Sequence, residues 1–312
     1  MPELPEVEVV RRQLERPLLG RQIAEAWAHP SPKFVSGPEA VGSEVEALRR
    51  RGKYLIAELD CGRDLVVHLG MTGRLCFASG ADAAGAPHDS SPQTLAVRPR
   101  DGPAADVMGD AIGDVTPASE LAERYSIGRS DPYVRAWWRL DNGEVLCLHD
   151  VRRFGRIAVC DRGDYRDLPT LAAMGPEPLD PRFDAVSFWR ASRRSSQRIK
   201  TQLLNQRLVA GIGNIYADEA LFLARINPSA RTISKLRAEG LLAALRDVLV
   251  ASIERGGSTL RDYYSLEGAG DNQKYFVCYG RAGEPCVRCG TEMRRRVLDQ
   301  RSSTWCPSCQ RR

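Results

Sequence analysis

The segment CVRCGTEMRRRVLDQRSSTWCPSC, residues 286–309, holds four of the nine cysteines in the chain, and its spacing decides how the carboxyl-terminal end folds. Cys286 and Cys289, then Cys306 and Cys309, form a C-x2-C, sixteen-residue gap, C-x2-C pattern. Two short knuckles of this kind bring four thiolates into a tetrahedron around one structural Zn²⁺. Disulfides are the competing reading, and partners only two residues apart in a chain without a secretion signal argue against them. The other five cysteines, Cys61, Cys76, Cys147, Cys160 and Cys278, lie scattered, mostly among apolar neighbours, and read as small core residues. Four thiolates on one Zn²⁺ carry a net negative charge, which Arg288, Arg294, Arg295, Arg296, Arg301, Arg311 and Arg312 outweigh even with Glu292 and Asp299 counted. A zinc-clamped β-hairpin with Arg301 near its tip suits insertion into a nucleic-acid groove. A protein-interaction ribbon is the alternative that spacing leaves open.

The 312 residues fit about two domains of roughly 150 residues each, and 43% apolar content is enough for packed cores. Glu3, Glu6 and Glu8 stand where a secretion signal needs basic residues, and no run approaches the roughly 18 apolar residues of a membrane span, so a cytoplasmic protein is expected. The net charge of +5 is unevenly spread. Residues 80–131 carry nine acids against four arginines, so the rest of the chain is distinctly basic and compatible with a polyanionic partner.

The amino terminus reads MPELPEVEV. A small second residue favours trimming of Met1, which leaves Pro2 with a free secondary amine. Val7, Val10, Leu14 and Leu18 recur at helical spacing up to Gly20, Pro5 suits a first turn, and the glutamates complement the helix dipole. Downstream, KYLIAELDCGRDLVVHLGMTGRL reads as two strands around a Cys-Gly turn and VRAWWRLDNGEVLCLHDVRRFGRIAV as three. Residues 80–131, rich in Ala, Gly, Pro and Asp, read as a loop insertion, and 163–185 as a proline-containing linker. SQRIKTQLLNQRLVAGIGNIYADEALFLARI and ISKLRAEGLLAALRDVLVASIERGG are helical, with Ile199, Leu203, Leu204, Ile215, Leu221 and Phe222 at core positions. Gly211 and Gly213 break one helix and Asn214 opens the next. Bare N–H groups at such a start seat phosphate, although a plain helix-helix turn has the same look.

PELPEVE, RRGKYL, HLGMTG, DVRRFG, GIGNIYADE, YGRAGEPC and the terminal cysteine pattern occur in the order seen in bacterial formamidopyrimidine-DNA glycosylases, which the chain resembles over nearly its whole length outside 80–131. The resemblance implies an α+β multidomain fold. It comprises an amino-terminal β-sandwich with a flanking helix (1–162, carrying the 80–131 insertion), the 163–185 linker, a helix-two-turn-helix domain (186–277) and a zinc ribbon (278–312). It further implies a monomeric repair enzyme acting on double-stranded DNA that contains a damaged base. Such an enzyme excises oxidised purines, chiefly 8-oxoguanine and formamidopyrimidines, and then cuts the strand.

Under that resemblance Pro2 is the nucleophile, Glu3 the proton donor to the sugar ring oxygen and Glu6 its support. A terminal amine titrates near 7.7–8.0, well below the roughly 10.4 of a lysine, which suits it to attack carbon near neutrality. Lys53 matches a lysine that reaches the phosphate and assists proton transfer, and Arg301 an arginine of the second elimination. Met71, Arg152 and Phe154 match the three residues that fill the void left by a flipped nucleotide. Lys200, Asn214 and Arg281 match DNA-binding positions, and 258–276 a loop that closes over the extruded base. Departures are Tyr133 and Arg135 in place of two histidines, Val151 in place of a proline, Ser196 in place of a lysine, and the acidic insertion. An oxidised-pyrimidine or bulky-adduct glycosylase, or a non-catalytic zinc protein that binds damaged DNA, are the alternatives. Retention of Pro2, Glu3 and Lys53 argues against the non-catalytic one.

Overall fold

The computed structural model of the chain describes residues 2–78, 131–259 and 264–311. Helix α1 (Leu4–Leu18) begins where the sequence places a start: Glu3 is its N-cap, Pro5 lies in the first turn, and Glu3 and Glu6 form a reciprocal capping box. Val7, Val10, Leu14 and Leu18 join the core of the amino-terminal domain, whereas Leu4 belongs to the core of the helical domain. One helix thus straddles two cores and holds the residues before it at their boundary.

Two four-stranded antiparallel sheets make the amino-terminal domain. One runs in the order β1 (Ile23–Ala28), β6 (Val134–Leu140), β7 (Val145–His149), β5 (Arg74–Phe77), and the other β2 (Val45–Arg51), β3 (Tyr54–Leu59), β4 (Arg63–His68), β8 (Arg156–Asp161). Ala136, Trp138 and Leu140 of β6 and Leu146 and Leu148 of β7 meet Leu48, Leu55, Leu65, Val67 and Ile157 in one core, while Trp137, Val145 and Cys147 pack on the opposite face. Each large side chain fully buried contributes about 1.5–3 kcal/mol, so a one-residue slip that turned this set outward would forfeit most of the core, and the register holds.

The stretch expected to hold two strands holds three, because the turn at Gly70–Gly73 separates β5 from β4. A Cβ at Gly73 would lie 2.1 Å from the Leu69 carbonyl oxygen. Strands β1 and β2 had no counterpart in the sequence pattern. Each carries a register shift, between Ile23 and Glu25 and between Val45 and Ala47, which breaks the alternation by which a strand is recognised.

The β2–β3 turn consists of Gly52 (φ +55°) and Lys53. Glu177 fastens it, accepting from the Gly52 N–H (2.7 Å) and pairing with Arg50 (2.7 Å) and Arg51 (3.1 Å). The turn is therefore pressed onto the segment leading to the helical domain, and Lys53 is 7% exposed. That segment is packed rather than loose: Leu168 and Leu171, at α2 (Pro169–Ala172), bury against Tyr54, Ile56 and Val66.

The helical domain comprises α3 (Ala185–Ser192), α4 (Ile199–Leu204), α5 (Asn214–Leu223) and α6 (Lys235–Glu254). Ile199, Leu203, Ile215 and Leu221 lie in its core as expected, Leu204 is only partly buried, and Phe222 turns toward the ribbon. Between α4 and α5 the chain folds back on Gln206 (φ +64°), whose side chain donates to the Ile212 carbonyl (2.6 Å) and accepts from the Gly211 N–H (2.8 Å). The ribbon is the hairpin β9 (Arg294–Leu298) and β10 (Arg301–Trp305), joined by Asp299 and Gln300, both left-handed as a two-residue hairpin turn requires. The 80–131 insertion, apart from Asp131, and Met1 lie outside the described residues. Among the described residues no helix is long and apolar enough to cross a membrane.

Candidate active site and nucleic-acid interface

The chemistry gathers where α1 and α5 meet end to end. Gly213 caps α5, and Asn214, expected at the helix start, is its first helical residue. The side-chain cap comes from across the molecule: the Glu3 carboxylate accepts from the N–H groups of Gly213 (2.7 Å), Ile215 (2.9 Å) and Tyr216 (3.5 Å). A negative group at the positive end of a helix is held by both the bonds and the dipole. Gly213 is obligatory here, since a Cβ on it would lie 2.3 Å from the Glu3 Cδ.

One turn along α1, Glu6 is 1% exposed and accepts from the Glu3 N–H (2.9 Å), the Ser258 N–H (2.8 Å) and the Tyr216 hydroxyl. Burial, followed by the charge of Glu3, raises its pKa. The Tyr216 oxygen also meets the hydroxyls of Ser252 and Ser258. Glu6 thereby ties the amino terminus to α5, α6 and the start of the 258–276 loop, of which residues 260–263 lie outside the described set.

Lys53 completes the group. Burial lowers its pKa, the charges of Glu3 and Glu6 act against that, and Arg301 adds to the lowering. Its ammonium therefore senses both glutamates and the ribbon arginine at once. Among the described residues Lys53 makes no ion pair within 4 Å. Pro2, itself buried, directly precedes Glu3.

A second gathering lies on two loops of the sandwich. Asp150, fully buried, accepts from the Thr72 hydroxyl (2.6 Å) and the Gly155 N–H (2.7 Å), clamping the turn that carries Met71 to the loop that carries Arg152 and Phe154. The two loops touch so closely that a Cβ on Gly70 would lie 2.4 Å from the Phe154 carbonyl carbon. Phe154 is 45% exposed, and the Arg152 guanidinium stacks over its ring at 4.7 Å. Such an exposed aromatic with a cation beside it is suited to a stacked base. Arg135, one of the departures, is internal: it donates to the Asp150 and Pro132 carbonyls (2.8 and 2.9 Å) and supports this loop.

The turn bearing Met71 is held by a histidine. His68 accepts from the Gly70 N–H through Nδ1 (3.1 Å), and burial, followed by the charges of Lys53 and Arg156, pushes its pKa down to about 4. A histidine depressed in the folded chain binds fewer protons there than in the unfolded chain between about 6.5 and 4. Its stabilising contribution is present above that window and is lost as the pH falls through it. Thermal unfolding midpoints measured from pH 7 to 4 should fall, and His68→Gln should flatten that part of the profile. An unchanged slope in the variant rules the assignment out.

The four cysteines converge. Their sulfurs all lie within 4.8 Å of one another, with Cys286–Cys309 at 4.0 Å and Cys289 at 3.5 Å from both Cys306 and Cys309. Zn–S bonds of about 2.3 Å set tetrahedral S···S edges of about 3.8 Å, whereas a disulfide needs about 2.05 Å. Backbone N–H groups of Arg288 and Cys309 point at the Cys286 and Cys306 sulfurs (3.5 and 3.3 Å), which supports thiolates. The donor set fits one structural zinc ion.

Comparison with known proteins agrees with this geometry. Residues 1–157 match the formamidopyrimidine-DNA glycosylase N-terminal domain, 174–264 the H2TH domain of the same glycosylases, and 283–312 the zinc finger found in FPG and IleRS. The chain belongs to the formamidopyrimidine-DNA glycosylase family. It is 37% identical to a formamidopyrimidine-DNA glycosylase of Thermus thermophilus, covering 99% of this chain and 98% of the relative, and 40% identical to that of Thermomicrobium roseum, covering 99% of each. Among solved structures, the crystal structure of the MutM (FPG) protein from Thermus thermophilus superposes with a TM-score of 0.78 at 37% identity, over 99% of this chain and 98% of that one. A mutant of the Lactococcus lactis FPG in complex with Fapy-dG-containing DNA superposes with a TM-score of 0.76 at 30% identity, over the full length of both. The family consists of DNA glycosylases of base excision repair.

In this glycosylase α5 is the beam on which the ribbon hangs. Asp218 accepts from the Thr304 N–H (3.0 Å) and pairs with Lys200 (2.6 Å), whose ammonium also donates to the Ser302 carbonyl (2.7 Å) and the Ser303 hydroxyl (2.8 Å). Burial pushes the Asp218 carboxyl up to about 6. Glu219 accepts three successive N–H groups, of Val277, Cys278 and Tyr279, at 2.7–3.0 Å. Arg288 covers the other end of the helix, donating to the Phe222 and Leu223 carbonyls at 3.0 and 3.2 Å. Asp299 at the hairpin tip accepts from Arg198 and Thr201.

Lys200 is thus internal, 1% exposed with three protein partners. Asn214 donates weakly to the Ser302 hydroxyl (3.4 Å), and its buried oxygen has no partner among the described residues. Arg281 pairs with Glu284 (2.7 Å) near the surface. The sequence pattern did not mark Tyr216, Asp218, Glu219, Gln206 or Asp150, and it marked Arg288 only as one of the charges of the ribbon. Several sit inside quoted motifs, yet their partners lie on other elements, and motif spacing carries no trace of those.

Proposed function

We propose that the protein is a bifunctional DNA glycosylase and abasic-site lyase that excises oxidised purines, 8-oxoguanine and formamidopyrimidines, through the amino group of Pro2. Removal of Met1 would bare that nitrogen. It attacks C1′ of the flipped nucleotide as the bond to the damaged base breaks and the base leaves with a proton from solvent; the proton of the attacking amine passes by way of Glu3 to the ring oxygen as the sugar opens, and the product is an iminium between Pro2 and C1′. The iminium draws electrons from the neighbouring carbons, so that loss of one sugar proton expels the 3′ phosphate and loss of a second expels the 5′ phosphate. Lys53 assists these proton transfers, and its lowered pKa makes it a better acceptor near neutrality than an exposed lysine. The observation that carries the reading is the anchoring of Glu3 and Glu6 where α1 meets α5, directly after Pro2, with the buried Lys53 within electrostatic reach of both glutamates.

Flipping the nucleotide costs a few kcal/mol, and Met71, Arg152 and Phe154 fill the gap it leaves. Asn214 contacts phosphate, and Arg281 can do the same by releasing Glu284, since surface pairs are worth only about 0–1 kcal/mol. Lys200 acts from inside, holding Ser302 and Ser303 and through them the neighbouring Arg301. The zinc ion, held by Cys286, Cys289, Cys306 and Cys309, supplies rigidity to the ribbon and no chemistry.

Borohydride trapping tests the reading. Protein lacking Met1 should be captured covalently on duplexes containing 8-oxoguanine or an abasic site, and chemical blocking of the terminal amine should abolish capture. Capture that persists after blocking sinks the Pro2 assignment. Faster capture on an oxidised pyrimidine than on 8-oxoguanine sinks the substrate assignment.

A further inference from the structure

The ladder of the ribbon places Arg301 opposite Leu298, Ser303 opposite Arg296 and Trp305 opposite Arg294. Residues opposite one another share a face of a sheet, and every second residue along a strand returns to it. Arg301, Arg296 and Arg294 therefore share one face, on which the buried Leu298 and Ser303 stand between Arg301 at the tip and the exposed pair Arg296 and Arg294 nearer the cysteines. Arg295 and Val297 belong to the other face. Strand β9 is the outer strand: β10 is the one bonded to α5, through Thr304, and Arg294 and Arg296 are both exposed. Among the described residues neither forms an ion pair. The one acid at the tip, Asp299, is already engaged by Arg198. Arg296 and Arg294 are thus two exposed positive charges on the face that also carries Arg301, against one exposed acid, Glu292, two residues before Arg294. The two arginines on β9 stand roughly 6.6–6.8 Å apart, close to two base-pair rises of duplex DNA.

We propose that Arg296 and Arg294 form a phosphate-binding track that holds the DNA backbone beyond the lesion, on the side toward which the ribbon runs. This rests on the DNA-repair reading above and names two contacts that neither the resemblance nor the catalytic reading assigns. Each contact should release about one counterion from the duplex, so R294Q/R296Q should flatten the plot of log affinity against log salt by about 1.8. Between about 50 and 200 mM KCl the parent should then lose about 12-fold more affinity than the double variant.

The measurement is fluorescence anisotropy on a duplex carrying a tetrahydrofuran abasic analogue, with zinc-loaded proteins verified by metal analysis. R294K/R296K should keep the parent slope, and so should R295Q on the opposite face. Should the double variant lose zinc, R296Q alone, farther from the cysteines, carries the test with a change of about 0.9. Equal slopes in the parent and R294Q/R296Q, or an equal loss in R295Q, overturn the track. Failure of the parent itself to bind the duplex would instead count against the DNA-repair reading.

Discussion

Glu3→Gln is expected to slow excision of a damaged purine by about 10²–10⁴-fold, the range typical of a lost general acid. The side chain accepts from three backbone N–H groups at the start of α5 while 2% exposed. An amide cannot accept with both of its heavy atoms, so one end would turn a donor toward donors. Leaving a buried donor unpaired costs about 1–3 kcal/mol, and some loss of stability should accompany the loss of rate. Single-turnover kinetics at saturating enzyme separates the two, because folded variant is then scored for chemistry alone. An abasic site has already lost its base, and its cyclic hemiacetal opens to the aldehyde in solution without the enzyme, so it depends less on a proton delivered by Glu3. Trapping on it should fall far less than excision of 8-oxoguanine. Gly213→Ala is the geometric counterpart: its Cβ would press on the Glu3 carboxylate and should reproduce the loss in excision without touching a titratable group. Wild-type excision rates in Glu3→Gln exclude the role.

The second large effect is expected from the cysteines. Cys289→Ser, or prolonged chelation, removes one ligand or the ion, and structural zinc in small fingers contributes on the order of 10–16 kcal/mol to their folding. Apart from its polar bonds to the helical domain the ribbon has only a small apolar cluster to hold it, Cys278, Cys286, Met293 and Cys306 with Phe222 of α5. Without the clamp, the Asp218, Glu219 and Arg288 contacts have nothing rigid to grip, and Arg301 leaves the neighbourhood of Lys53. Affinity for an abasic-site duplex should fall at least about 100-fold, while the far larger sandwich core keeps its own unfolding transition. Metal content, duplex binding and calorimetry together check this. A zinc-free protein that binds as tightly as the parent overturns it.

Short-range patterns were legible in the chain as written. The cysteine spacing specified a clamp because two C-x2-C knuckles can close on one ion wherever they lie. The start of α1 was legible because a cap, a proline and a stripe of apolar residues all act within one or two turns. The strands around Asn142-Gly143 were legible because a tight turn joins two clean alternations. The family motifs marked Pro2, Glu3, Lys53 and Arg301 as candidates without saying how they meet. Strands β1 and β2 were lost to their register shifts, and the packed helix in 163–185 was hidden behind its prolines. The partnership of Glu3 with Gly213, 210 positions away, exists only when α1 and α5 meet end to end. The same holds for Glu6 with Tyr216 and Ser258, and for Lys200 with the ribbon. Local periodicity reports which face of an element is apolar. It cannot report which buried N–H groups are left without a partner until the elements are packed, and here a carboxylate from the amino terminus supplies that partner.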